Sequence, residues 1–170
     1  MFVHFLRHHS AASYLLTLLR LYLGVQWLTA GWGKIKDGFD ASGFLFGALK
    51  KSTGEHPEVQ SWWAGFLKNF AIPHVEMFNI LVPWGEFLVG LGLLLGTFTA
   101  LAALMGAVMN FSYLLSGSSS TNPEMVLLEV LLLVAGFNAS KIGLDRWIIP
   151  FLQKKLFSKK SNETSLKQAA

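Results

Sequence analysis

Four long apolar runs dominate the chain. They cover Ala11 to Gly33, Met77 to Gly96, Phe98 to Leu115 and Pro123 to Ala139. Each is close to the ~20 residues that an α-helix of ~1.5 Å rise per residue needs to cross ~30 Å of hydrocarbon. None has the polar face of a helix lying on a soluble core, and soluble helices that are apolar all round do not recur four times in so short a chain. The pattern predicts an all-α membrane protein built on a four-transmembrane-helix bundle.

The connections between the runs differ. The second and third runs meet at Thr97, which predicts a tight antiparallel hairpin. The third and fourth are joined by an uncharged Ser/Gly-rich stretch from Ser116 to Asn122. Asn122-Pro123-Glu124 reads as a helix start, with Asn122 as cap, Pro123 in the first turn and Glu124 at the positive end of the dipole. The first and second runs are separated by an outer loop over 34–76. It holds two aromatic patches, Phe39 to Leu49 and Trp62 to Phe70, with Lys50, Lys51, Glu55 and Glu58 between them. These predict short amphipathic helices, either lying at the membrane interface or packed as a cap over the bundle mouth. After the fourth run, Lys141 to Phe157 again alternates apolar and charged residues, a second interfacial helix that Pro150 should kink or end.

Composition agrees: 52% of the 170 residues are hydrophobic and 14% charged, too little charge to cover a soluble surface. No cysteine is present, which excludes disulfides, thiolate metal sites and dithiol redox chemistry. Seven of the Lys/Arg residues (Lys141, Arg146, Lys154, Lys155, Lys159, Lys160 and Lys167) follow the fourth run, against Asp145 and Glu163. Such a tail suits an anionic membrane surface, not nucleic acid. By the positive-inside rule it is cytoplasmic, and four spans then place the N-terminus, with Arg7, inside as well. The chain therefore divides into one four-span domain over 1–153 and a basic cytoplasmic tail over 154–170, in the cell membrane. The first run is too long for a signal-peptide core and carries Arg20, so it reads as a retained helix.

The chemistry resides in polar residues at membrane depth. Arg20 and Glu86 fall near the middle of the first two runs, and Glu129 in the outer part of the fourth. Gln26 and Asn110 lie in the outer halves of the first and third. A charge at that depth costs at least ~2.5 kcal/mol on insertion scales, so it should face the bundle interior and have a partner. Arg20, Gly24, Trp27, Gly31 and Lys34 share one stripe of the first helix. Glu86 shares its face with Gly90, Asn110 with Gly106, and Glu129 with Gly136. Small residues at this spacing let helices pack closely in lipid, which assigns Gly24, Gly31, Gly90, Gly106 and Gly136 to helix packing. The simplest pairing is Arg20 with Glu86. Glu129 then shares Arg20, reaches Lys34, or carries a proton. An alternative is a polar pocket for a small molecule, lined by Arg20, Trp27, Lys34, Trp84, Glu86, Asn110 and Glu129. The five histidines, His4, His8, His9, His56 and His74, lie outside the runs, which argues against bis-His haem ligation. No metal-ligand spacing, phosphate loop or nucleophile elbow is present.

Leu19 to Ile35, LRLYLGVQWLTAGWGKI, and Gly85 to Leu104, GEFLVGLGLLLGTFTALAAL, resemble the opening helix and the central hairpin of the DoxX family of small four-helix membrane proteins. The resemblance covers nearly all of the membrane part. It carries over Arg20, Gly24, Gly31, Lys34, Glu86 and Gly90. Where many relatives have an Arg after the hairpin turn, this chain has Ala100. The resemblance implies a link to redox metabolism, since the family takes its name from a thiosulfate:quinone oxidoreductase subunit. Three readings follow. The first is a membrane subunit of an oxidoreductase, with a non-covalent quinone near the polar residues and a soluble or membrane redox partner. The second is a non-catalytic scaffold or assembly protein whose buried charges are structural. The third is a small transporter, which would need a homo-oligomer to form a pathway.

Overall fold

A computed structural model describes residues 1–155 and is helical throughout, with no strand among the described residues. A short helix α1 (Phe2–His8) precedes the long α2 (Ser10–Asp37). In the loop that follows, α3 (Ser42–Lys50) and α4 (Ser61–Phe66) are separate helices, and α4 continues into a π-helical turn, Leu67–Ala71. Then come α5 (Val75–Leu95), α6 (Thr99–Leu115), α7 (Asn122–Ala135) with a 3-10 turn Gly136–Ala139, and a last helix α8 over 145–155.

The four apolar runs match α2, α5, α6 and α7 to within a few residues. The long helices form a ring: α2 packs on α5, α5 on α6, α6 on α7, and α7 back on α2. Two helical stretches, Val75–Leu95 and Asn122–Ala139, are by length and composition able to cross a membrane. α6 is as apolar but has 17 residues, and α2 has 28 residues but carries Arg20, Lys34 and Lys36. The outside of the ring is apolar on all four helices. Leu18 on α2, Ile80 and Leu88 on α5, Leu101 and Val108 on α6, and Leu127 on α7 are each more than half exposed. The buried set includes Arg20, Glu86, Asn110 and Glu129. Apolar residues outside and charges inside invert the pattern of a water-soluble bundle.

Three of the five glycines assigned to helix packing do that work. A Cβ on Gly24, Gly31 or Gly90 would run into the backbone of Leu94, Phe87 or Leu28 respectively. Gly106 instead leaves room for a side chain, as a Cβ there would lie 2.5 Å from Glu129 Oε1. Gly136 packs on nothing within 4 Å; with φ +59 it ends α7, and the fourth run finishes as a 3-10 turn. Asn122 does not cap α7 with its side chain, which donates back to the Ser118 carbonyl at 2.8 Å.

The hairpin turn between α5 and α6 uses left-handed backbone at both Gly96 (φ +63) and Phe98 (φ +47). The first N–H groups of α6 are capped from far along the chain. Asp145 accepts from Phe98 N at 2.7 Å and Thr99 N at 2.9 Å. Residues 141–144 are therefore irregular, and the helix expected from Lys141 starts at 145 and runs on through Pro150. Beyond 155, the expected basic tail lies outside the described residues.

The loop between α2 and α5 is a cap over one end of the bundle. Ala41, Leu45, Ala48, Val59, Leu67 and Ala71 form a small core of their own. Three bonds fasten it down: Trp63 Nε1 donates to Ser116 Oγ at 2.9 Å, Ala41 N to Asn79 Oδ1 at 2.8 Å, and Lys51 Nζ to the Gly117 carbonyl. Its aromatic face is not fully covered, since Trp62 and Phe46 are each 58% exposed.

Candidate functional site: a capped cavity with a buried ion pair

Under the cap lies a cavity of about 820 Å³. Trp27 and Lys34 from α2, Glu86 from α5 and Asn110 and Tyr113 from α6 contribute polar groups to its wall. Phe39, Phe44, Trp63, Phe66 and Phe78 make much of the rest aromatic. The π-helical turn places Leu67 and Ala71 on the same wall, and such turns often occur at functional sites.

The central contact is an ion pair. Lys34 Nζ donates to Glu86 Oε2 at 2.6 Å, and the Tyr113 hydroxyl donates to Glu86 Oε1 at 2.8 Å. Both carboxylate oxygens are therefore engaged. The Glu86 side chain is 3% exposed, whereas the Lys34 side chain is 29% exposed. Lys34 thus presents its head to the cavity, with N–H donors beyond the one used on Glu86. Its ammonium also stands 5.7 Å from the centre of the Phe39 ring.

A second polar cluster lies deeper. Glu129 is fully buried and accepts from Trp27 Nε1 at 2.8 Å and from Asn110 Nδ2 at 3.0 Å on each oxygen. Its partners are neutral donors, not Arg20 or Lys34. The Asn110 amide is placed with its nitrogen towards the carboxyl group. That leaves Asn110 Oδ1 buried and without a partner.

The expected Arg20–Glu86 pair does not form. The close contacts of Gly24 on Leu94, Leu28 on Gly90 and Gly31 on Phe87 share one antiparallel register: the α5 number falls as the α2 number rises by the same step. Extending it sets Glu86 level with Trp32, about 3 Å along the axis from Lys34. Arg20 is set level with Phe98, at the opposite end, about 21 Å from Lys34 at ~1.5 Å per residue. There Arg20 Nη2 donates to the Ile142 carbonyl at 2.7 Å, and the guanidinium is wedged against Gly96 and Gly143. Asp145 supplies the negative charge nearby. Nε and Nη1 of Arg20 have no partner among the described residues.

Trp84 is also displaced from the expected site. It is half exposed on the outer face of α5, edge-on to Phe87 with ring centres 6.0 Å apart. Gln26 lines the cavity and donates to the Tyr22 hydroxyl at 3.1 Å. His74 is not among the lining residues. Tyr113 was not singled out by the sequence, although Asn110 and Tyr113 are three residues apart on one helical face. Outside the bundle, the Ser42 hydroxyl and N–H bond to Asp40 and hold its carboxyl below the usual range at the start of α3.

A family model described as DoxX matches residues 15–116. The chain belongs to the DoxX family. The match makes it a membrane protein and includes Lys34, Glu86, Asn110 and Tyr113, while α7 with Glu129 lies beyond it. No curated protein and no solved structure matches the chain.

Proposed function

We propose that this DoxX protein is a four-span protein of the cell membrane, with both termini cytoplasmic, that binds a quinone under its outer cap as part of a redox system. The observation that carries this reading is the cavity of about 820 Å³ with an aromatic wall and one accessible cation. That volume suits a ring compound of moderate size, within the ~300–1,000 Å³ of small-molecule sites. The residues fit the group. Lys34 would donate to a ring oxygen, with Glu86 holding the ammonium in place. Trp27, Phe39, Phe44 and Trp63 would enclose the ring and exclude water. Tyr113 and Asn110 set the orientation of the two carboxyl groups behind them. When bound, a quinone supplies the two-electron, two-proton chemistry that the side chains of this chain lack. The electron donor is then a partner subunit, soluble or membrane-bound.

The four-span arrangement is supported by the apolar outer belt on all four long helices. The orientation is supported by the bases that follow α7. Purification in mild detergent followed by mass spectrometry of bound small molecules tests the reading. A quinone that co-purifies, and is retained about tenfold less by Glu86→Gln protein, is expected. Protein free of quinone, and unaffected by added quinone analogues, would sink it.

A second reading, a non-catalytic scaffold with structural buried charges, is favoured by the inner end. Arg20 and Asp145 there are sealed in backbone and capping contacts.

A further inference from the structure

A second cavity, of about 590 Å³, lies in the corner between α1 and the end of α7. Arg7, His8 and Lys141 line it together with Phe137 and Asn138, and no carboxylate does. We propose that this corner binds the phosphate headgroup of an anionic phospholipid.

The corner is built by specific bonds. Asn138 is 4% exposed and donates to the carbonyls of Leu6 at 2.7 Å and His9 at 3.1 Å, which fastens α1 across the end of α7. Arg7 Nε donates to the Val134 carbonyl at 2.9 Å, and this fixes the guanidinium at the rim. The last carbonyls of α7 would repel an anion, but three of them, those of Leu132, Leu133 and Val134, are occupied. Val134 O takes Arg7, and the Gly136 N–H bonds to Leu132 O and Leu133 O. Asp145, the acid nearest in sequence, is 1% exposed with both oxygens on the N–H groups of α6. The two ion pairs among the described residues, Lys34–Glu86 and Lys51–Glu58, involve the cavity and the cap at the other end. Arg7, Lys141 and the imidazole of His8 therefore face one cavity, and no acid among the described residues lines it.

The surroundings select a lipid over a free phosphate. Phe137 on the wall and Ile142, next in the chain to Lys141, are exposed and offer apolar surface to acyl chains, and Phe2 and Phe5 are exposed on α1. The site rests on the four-span reading, which places this corner at the cytoplasmic boundary. Basic pockets there recognise anionic headgroups by charge, worth about fivefold in binding per Lys or Arg.

The test uses the full chain in mild detergent, with equal amounts of phosphatidylglycerol and phosphatidylcholine added, read by native mass spectrometry. Phosphatidylglycerol adducts should dominate. Lys141 is exposed and makes no hydrogen bond among the described residues, so Lys141→Gln should fold normally and lose about fivefold in phosphatidylglycerol retention. Lys141→Arg should restore it. Lys154→Gln/Lys155→Gln should leave it unchanged, which separates the corner from the general basic surface of α8. Equal retention of both lipids, or an unchanged Lys141→Gln protein, would overturn the proposal. So would full displacement by inorganic phosphate, which would mark a free-anion site. Alkaline carbonate extraction of the same membranes separates the two levels. Protein that stays in the membrane while the lipid test fails loses only this site, and protein that extracts loses the membrane reading and the site together.

Discussion

Both ends of the bundle set a cation near a carboxylate, and they treat it in opposite ways. At the capped end, the outer one in the proposed topology, Lys34 meets Glu86 directly, and its side chain keeps 29% exposure on the wall of a large cavity. At the opposite end, the inner one in the proposed topology, Arg20 is 2% exposed and Asp145 1%. Asp145 spends both oxygens on the N–H groups of Phe98 and Thr99, while Gly96 and Gly143 close over the guanidinium. A buried charge at membrane depth therefore has two meanings. With a carboxylate behind it and space in front, it can meet a ligand. With backbone on every side, it locks helices together.

The comparison breaks most readily at the inner end. Asp145→Ala uncaps α6 and leaves Arg20 without a nearby acid. Removing one partner from a buried charge cluster costs ~3–5 kcal/mol, so unfolding in detergent should shift strongly and abundance should fall. Gly96→Ala should act in the same direction, because its Cβ would collide with Arg20 at a positive φ. If either variant is as stable as the parent, the inner end is not the lock described here.

At the outer end, Glu86→Gln should separate stability from binding. Lys34 can turn towards water, so the loss of stability should stay near the ~1.5–3 kcal/mol of a charge-assisted hydrogen bond. Ligand retention should fall about tenfold, equivalent to ~1.4 kcal/mol. A Glu86→Gln protein as depleted as Asp145→Ala would make both ends structural and favour the scaffold reading.

The sequence made the four long helices and their interior polar residues legible, because apolar runs of this length have few alternatives. The partners of those residues were not legible. Pairing Arg20 with Glu86 rested on similar depth along two helices, but depth depends on where each helix begins. α2 extends to Asp37, well past the apolar run, and that shift brings Lys34 to Glu86. The glycines held the missing register: Gly24, Gly31 and Gly90 each mark a backbone contact, and together they fix the offset between α2 and α5. Asp145 was hidden for a different reason. It sat in a pattern that reads as a charged surface helix, and only the fold brings it to the first turn of α6.

Tyr113→Phe probes a smaller part of the outer end. It removes the one hydrogen bond to Glu86 Oε1 and preserves the ring and its edge contact with Phe44. A loss of ~1 kcal/mol is expected in stability, with ligand retention lowered by no more than the equivalent fivefold. An effect as large as that of Glu86→Gln would mean that the hydroxyl itself, not the ion pair, holds the ligand.

The smallest effect is expected at Trp84. Its place two residues before Glu86 in the sequence makes it a natural wall for a ring compound. A step of two residues turns a helix by about 200°, so the two side chains leave α5 on opposite faces. Glu86 enters the bundle and Trp84 faces outward, half exposed against Phe87. Trp84→Leu keeps an apolar side chain at a position that faces lipid in the four-span reading. Stability should change by less than ~0.5 kcal/mol, as at surface sites without special contacts. Bound ligand measured by mass spectrometry should match the parent. A Trp84→Leu protein that loses its ligand would move the site from the bundle interior to the outer face of α5, where Lys34 and Glu86 could not reach it.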